Sequence, residues 1–206
     1  MLAMQTIRAQ YIVLTEKLGV KKVHCVLGFS MGGQQIHNHV LSFIEGPKAA
    51  LLASRDFNFG HYTAPPTSGI RAFGRWFREH QYKFDGKFRN LEDFMRGSWE
   101  ARFLRWDAND LITLFETWTK ADISLIRDNG NLEEALKSIQ VKGLIMPCKT
   151  DLYFPPEDSE NEVSLLPNSK LVVIDSVWGH QAGGGASLKD NKFLEEQIGL
   201  FITEAL

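Results

Sequence analysis

The feature that most constrains this chain is a short apolar run that breaks into a glycine-flanked serine and then into a helix-forming stretch. Val23-His24-Cys25-Val26-Leu27 leads into Gly28-Phe29-Ser30-Met31-Gly32-Gly33, and Gln34-Gln35-Ile36 opens the next segment. A mostly apolar run of this length reads as a strand covered on both faces, the kind found in parallel sheets packed between helices. Glycines two positions either side of Ser30 remove Cβ atoms where strand and helix must approach closely, and the sharp turn projects the serine side chain clear of both. The helix start offers free N–H groups and a positive dipole end, so the Met31 N–H is placed to face a developing oxyanion. Taken alone, the pattern also reads as a glycine-rich turn with an incidental serine.

Two later segments weigh against the incidental reading. Val141 to Met146 and Leu171 to Ile174 are further strand-like runs, and each ends in a loop. The first loop reads Pro147-Cys148-Lys149-Thr150-Asp151-Leu152-Tyr153-Phe154-Pro155-Pro156-Glu157, and the second Ser176-Val177-Trp178-Gly179-His180. Open α/β sheets collect functional side chains at the carboxyl ends of their strands. Singly, Asp151 could cap a helix that starts near Pro155, and His180 could be a satisfied loop histidine. Together they follow Ser30 in the order Ser, Asp, His, each just beyond a strand, which is the order of the α/β-hydrolase triad. A serine hydroxyl is a weak nucleophile until a base takes its proton, and His180 serves as that base only if a partner such as Asp151 fixes its tautomer.

The rest of the chain is read around this frame. Ile7, Tyr11, Leu14 and Leu18 share one face of a helix over residues 4 to 18 that Gly19 would end. Between about 65 and 135, Phe73, Trp76, Phe77, Phe94, Trp99, Phe103 and Trp106 recur among charged residues with no convincing strand. This predicts a helical insertion over the sheet, entered at Pro65-Pro66 and left near the turn Asn129-Gly130-Asn131. Such an aromatic stripe serves as plain core or lines a pocket. With 206 residues, the whole of 1–206 reads as a single α/β domain. A formal net charge of −2 argues against broad attraction to nucleic acid or acidic membranes, so a small-molecule partner is expected. Cys25 and Cys148 read as reduced core thiols rather than a disulfide framework. The start lacks a signal-peptide pattern and no run of about twenty apolar residues occurs, so a soluble cytoplasmic protein is expected. His37 and His39 lie two apart on a helix and do not face one another, and Gly183-Gly184-Gly185 reads as a loop rather than a phosphate cradle, so no metal site is expected.

These segments resemble the homoserine O-acetyltransferase family, and in particular a fungal branch of it, for which fungal secondary metabolism is the expected setting. The resemblance rests on Thr15-Glu16-Lys17-Leu18-Gly19, Gly28 to Gln35, Trp106-Asp107-Ala108-Asn109-Asp110, Thr150 to Glu160 and Gly179-His180, stretches that span nearly the whole chain. It implies an α/β-hydrolase fold, here partial, with a parallel sheet and a helical lid insertion. Ser30 would be the nucleophile, Asp151 the acid and His180 the base, with the Met31 N–H as an oxyanion donor. The implied reaction carries an acetyl group from acetyl-CoA, or an acyl group from another acyl-CoA, to a hydroxyl through an acyl-serine, with no bound cofactor.

Departures from the family pattern set further expectations. The sequence opens at the helix before the Ser30 strand, without the family's leading strands or the loop that supplies a second oxyanion N–H. Losing one such donor typically costs about a hundred- to a thousandfold in rate. After Val40-Leu41-Ser42-Phe43-Ile44 the chain passes to Glu45-Gly46-Pro47, where no strand replaces the family's central one. The expected result is a shortened, incomplete sheet with a poorly flanked Ser30 strand, an exposed edge that favours homo-oligomers, and impaired turnover. Ester hydrolysis by the same triad and a non-catalytic truncated product are the alternatives.

Overall fold

Strand formation here follows from apolar runs that can be covered on both sides. A computed structural model describes residues 2–23, 25–29, 32, 50–54, 88–119, 122–151, 153–182, 184–185 and 187–205. Among these residues the sheet comprises β1 (Cys25–Phe29), β2 (Ala50–Ser54), β3 (Lys142–Ile145) and β4 (Ser169–Leu171). They lie in the order β1-β2-β3-β4 and every pair is parallel. The register sets Leu27 beside Leu52, Leu52 beside Leu144, and Leu144 beside Lys170. All four carboxyl ends therefore point the same way.

Strand β2 corrects the expectation that nothing replaces the central strand. Ala50-Leu51-Leu52-Ala53-Ser54 pairs with β1 on one side and β3 on the other, so the strand that leads into Ser30 has a full-length neighbour. The run is built from alanine and leucine, which favour helices, and it lacks the β-branched and aromatic residues that mark strands. Pairing on both sides overrides that local preference. The strand boundaries also move. β1 begins at Cys25 rather than Val23, and β4 spans Ser169–Leu171, with Ile174 joined only through an isolated bridge to Cys148.

Successive residues of β3 feed opposite sides of the sheet, as the two-residue repeat of a strand requires. Ile145 belongs to a cluster with Ile123, Leu136, Ile139, Val141 and Leu166, while Leu144 belongs to one with Met146, Cys148, Ile174, Ala182 and Phe201. Each fully buried side chain of this size contributes about 1.5–3 kcal/mol. The first cluster takes Leu132 and Leu136 from α6 (Leu132–Lys137) and Val163 and Leu165 from α7 (Pro156–Leu165). The second takes Phe193, Leu194, Ile198, Phe201 and Ile202 from α8 (Leu188–Ala205), a spacing that repeats with the helical turn.

The first helix, α1 (Leu2–Ile12), runs on through a π-helical stretch at Val13–Lys17. It stops where expected. Gly19 adopts φ +66°, and the Val20 N–H bonds back to the Leu14 carbonyl at 2.8 Å. The part of the expected insertion that is described, 88–119 and 122–135, is helical or turn and contains no strand. It holds α2 (Leu91–Phe94), a π-helical stretch Met95–Glu100, α3 (Ala101–Phe103), α4 (Ala108–Thr119) and α5 (Ser124–Arg127). Asn90 caps α2 by accepting from the Asp93 N–H, and Asp107 accepts from Asn109 and Asp110 at the start of α4. The exit turn forms as read, with Asn129 and Gly130 at positive φ and Asn131 capping α6 through the Glu134 N–H. Of the expected aromatic stripe, Phe94 is buried, whereas Phe103 and Trp106 are exposed. Pro65, Pro66, Phe73, Trp76 and Phe77 lie outside the described residues, as does the side chain of Trp99.

Candidate active site

Asp151 and His180 come together from loops that leave β3 and β4. The two strands continue to pair past their regular ends: the Ile174 N–H donates to the Pro147 carbonyl at 2.8 Å and the Lys149 N–H to the Ile174 carbonyl at 3.0 Å. From this shared edge the Asp151 turn closes through its own N–H to the Cys148 carbonyl at 3.0 Å. Its Oδ1 then accepts from the Tyr153 N–H at 2.9 Å and the Phe154 N–H at 3.3 Å, a local turn that aspartate forms readily. The remaining oxygen, Oδ2, lies 3.0 Å from His180 Nδ1. The two oxygens therefore do different work, one building the loop and one meeting the imidazole.

The Asp151 side chain is fully buried and that of His180 is 16% exposed. A carboxylate taken out of water at this depth is tolerated only when its oxygens are hydrogen-bonded. Because a carboxylate accepts and does not donate, the contact requires the proton of the neutral ring on Nδ1, so that Nε2 carries the ring's lone pair. Among the described residues, aromatic rings pack around the imidazole. Phe154 stacks on it at 5.3 Å between centroids and 28° between planes, Tyr153 meets it edge-on at 5.0 Å, and Phe29 is tilted against it at 6.0 Å. Tyr153 and Phe154 thus anchor Asp151 through their backbone and grip His180 through their side chains.

His180 sits in a 3₁₀ turn, Gly179–Gln181, that needs glycine at its first position. Gly179 has φ +51°, and a Cβ placed there would come within 3.1 Å of the Thr150 carbonyl oxygen. The Thr150 hydroxyl donates to the Ser176 carbonyl at 2.9 Å and accepts from the Gly179 N–H at 3.1 Å. One step further from the histidine, the buried Ser176 hydroxyl donates to the buried Asp190 carboxylate of α8 at 2.6 Å and accepts from the Trp178 N–H at 3.1 Å. These links tie the His180 turn to both the Asp151 loop and the last helix.

Ser30 and Met31, the expected nucleophile and oxyanion donor, lie outside the described residues, as does the backbone conformation expected of Ser30. The described chain reaches Phe29, the residue before Ser30. Sequence reasoning missed Thr150, Tyr153, Phe154, Ser176 and Asp190. The first three were within sight, because they lie within three residues of Asp151 in the chain. The Ser176–Asp190 pair joins residues fourteen apart and leaves no local signature.

Among the described residues of the sheet half, burial and ion pairing shift several carboxyls. In α7, burial pushes the Glu162 carboxyl well above its ordinary range, with help from the nearby Asp158 charge. Asp158 is itself raised, first by burial and then by Glu157. Asp175 is lowered by its hydrogen bond to the Lys149 ammonium, 2.9 Å away, and by that group's charge. Among the described residues no group of three His, Cys, Asp or Glu side chains could hold a metal ion, and no helix is long and apolar enough to cross a membrane.

No protein-family model matches the chain. It is 28% identical over 205 residues to a homoserine O-acetyltransferase of Chloroherpeton thalassium, covering 81% of this chain and 53% of that protein. It is 26% identical over 209 residues to an ethyl acetate hydrolase of Pseudomonas veronii, covering 84% of this chain and 59% of that protein. The chain thus spans little more than half the length of these curated relatives. Among solved structures, an acetylester hydrolase from Corynebacterium glutamicum superposes with a TM-score of 0.75 at 20% identity, over 98% of this chain and 67% of that one. The chain has an α/β-hydrolase fold in partial form, and bacterial homoserine O-acetyltransferases and esterases are its homologues.

Proposed function

We propose that this chain carries a serine acyl-transfer site, with Ser30 as nucleophile, His180 as general base and Asp151 as the group that sets the His180 tautomer. The observation that supports it most is the buried Asp151 Oδ2 to His180 Nδ1 contact at 3.0 Å, with the Phe29 ring 6.0 Å from the same imidazole. Ser30 is the next residue after Phe29, and adjacent Cα atoms across a trans peptide are about 3.8 Å apart. His180 Nε2 takes the Ser30 proton as Oγ attacks the acyl carbonyl carbon, and the Met31 N–H steadies the oxyanion that forms. Collapse breaks the bond to the leaving group, which receives the proton from His180, and leaves an acyl-serine. An incoming hydroxyl then gives its proton to His180 and attacks the acyl carbon, the bond to Ser30 Oγ breaks, and Ser30 Oγ takes the proton back from His180.

The leading form of this reading uses acetyl-CoA or another acyl-CoA as donor and a small-molecule hydroxyl as acceptor. Hydrolysis, with water as acceptor, is the second form, and the ethyl acetate hydrolase among the relatives favours it. Both share one acyl-enzyme. A soluble cytoplasmic setting and self-association through the sheet edge go with either.

The test is a serine-directed fluorophosphonate, whose phosphorus is attacked by Ser30 Oγ with loss of fluoride. Mass spectrometry is expected to place the adduct on Ser30 and to find none in Ser30→Ala. A folded chain that forms no adduct, or one whose adduct survives Ser30→Ala, would remove the serine mechanism and leave the non-catalytic alternative. Release of the acyl group to added homoserine or to water then separates the two forms.

A further inference from the structure

Asp151 and His180 stand on separate loops, 29 residues apart in sequence, and their 3.0 Å contact depends on how those loops are held together. The shared strand edge ends at the bridge between Cys148 and Ile174. Asp151 lies three residues beyond that bridge on one side and His180 six beyond it on the other. Several rotatable backbone bonds therefore separate each group from the last point of sheet pairing. Thr150 occupies the gap. It adjoins Asp151 in the chain, its hydroxyl accepts from the N–H of Gly179, which adjoins His180, and the same hydroxyl donates to the Ser176 carbonyl. Only a group that donates and accepts through one atom can make both bonds here, and among side chains of this size that means a hydroxyl.

We infer that the Thr150 hydroxyl is a positioning group, a clasp that fixes the His180 turn against the Asp151 loop and so sets the imidazole that acts on Ser30. The inference rests on the acyl-transfer reading for its consequence in chemistry, but the clasp itself is independent of it. The left-handed backbone of Gly179 belongs to the same device, because a Cβ at that position would press on the Thr150 carbonyl and hold the turns apart. The nearby Lys149–Asp175 pair also crosses between the loops, but both partners are mostly exposed and such pairs hold little.

The test compares Thr150→Val, which keeps the shape and loses both bonds, with Thr150→Ser, which keeps both. Thr150 is exposed, so neither change opens a hole in the core. Two readouts are taken on the full chain: hydrogen exchange of the Gly179 amide and the rate of fluorophosphonate adduct formation at Ser30. Thr150→Val is expected to speed the exchange and to slow the adduct, each roughly three- to tenfold, the range of one or two exposed hydrogen bonds. Thr150→Ser is expected to stay within about twofold of the parent, since its hydroxyl replaces both bonds. Unchanged exchange in Thr150→Val would overturn the clasp. Faster exchange with an unchanged adduct rate would overturn the positioning role. If the parent chain forms no Ser30 adduct, the acyl-transfer reading fails, while the exchange comparison still decides whether the clasp exists.

Discussion

Residues 141–205 and residues 88–119 both intersperse apolar and charged side chains, yet their described side chains use them in different ways. In 141–205, Leu144, Ile145, Met146, Cys148, Phe154, Leu166, Ile174 and Phe201 are buried, and Asp151, Ser176 and Asp190 are buried with hydrogen-bond partners. In 88–119, Phe94 is buried, but Phe103, Leu104, Trp106, Ile112 and Leu114 are exposed. Arg89 with Asp93 and Arg96 with Glu92 form exposed ion pairs there, and such pairs hold little. The difference separates an interlocked scaffold, 141–205, from a segment that shows apolar side chains at its surface. Groups that must stay placed to within a few tenths of an ångström are built where strands and helices interlock, and among its described side chains 88–119 carries apolar surface without being locked by it.

The contrast predicts where a minimal change has its largest effect. Asp151→Asn retains an oxygen to accept from the Tyr153 and Phe154 N–H groups, so the loop is expected to keep its shape. The new amide nitrogen faces His180 Nδ1 as a donor and drives the ring proton to Nε2, where it blocks acceptance of the Ser30 proton. A comparable change in a serine triad costs about 10⁴-fold, so Ser30 adduct formation should fall by roughly that factor while far-UV circular dichroism is unchanged. A loss below about tenfold would mean that the pair does not set the tautomer, and the scaffold would lose its assigned purpose.

A second effect lies inside the scaffold and depends on pH. Glu162 is buried in α7, and its carboxyl in the folded chain is raised well above the 4.5 of an ordinary glutamate. The folded state therefore keeps a proton that the unfolded state has released. Stability from this group is fullest below the ordinary glutamate range and falls as pH rises through it toward the folded value. Glu162→Gln cannot ionise, so its melting temperature relative to the parent should be higher at pH 8 than at pH 5. Each kcal/mol released corresponds to about 2–4 °C for a chain of this size. A difference in melting temperature that is flat with pH would show the carboxyl to be solvated, and one rigid element of the scaffold to be looser than described.

How much of this was legible in the sequence follows the same division. β3 and the positions of Asp151 and His180 could be read because an apolar run covered on both faces, followed by a loop, is a local pattern. β2 could not, because Ala50-Leu51-Leu52-Ala53-Ser54 carries helix-favouring residues and becomes a strand only between two partners distant in sequence. The same holds for the start of β1, which begins where Cys25 meets Ala50 and not where the apolar run begins. With β2 in place, the expected weakness of the strand before Ser30 loses one of its two grounds. The ring contacts of Tyr153 and Phe154 with His180 and the Thr150 clasp depend on the meeting of two loops, a tertiary event that neither loop encodes alone.

The smallest expected effect tests the helical segment. Leu104 is 86% exposed, in the turn between α3 and α4, with Phe103 and Trp106 exposed beside it. An exposed leucine gains little from folding, so Leu104→Ser should remove little: the change in unfolding free energy should stay within about 0.5 kcal/mol, the usual range for surface substitutions. Leu188 offers the matching probe in the scaffold, since it is 88% exposed at the start of α8, and Leu188→Ser should be equally mild. Exposure rather than region then decides the cost at single positions, and the regional contrast lies in what is buried. Denaturant unfolding of the two variants beside the parent measures both. A loss above about 2 kcal/mol for Leu104→Ser, with Leu188→Ser neutral, is the signature of a buried apolar group. It would mean that the helical segment is packed in solution as tightly as the sheet half, and the distinction between the scaffold and that segment would fall.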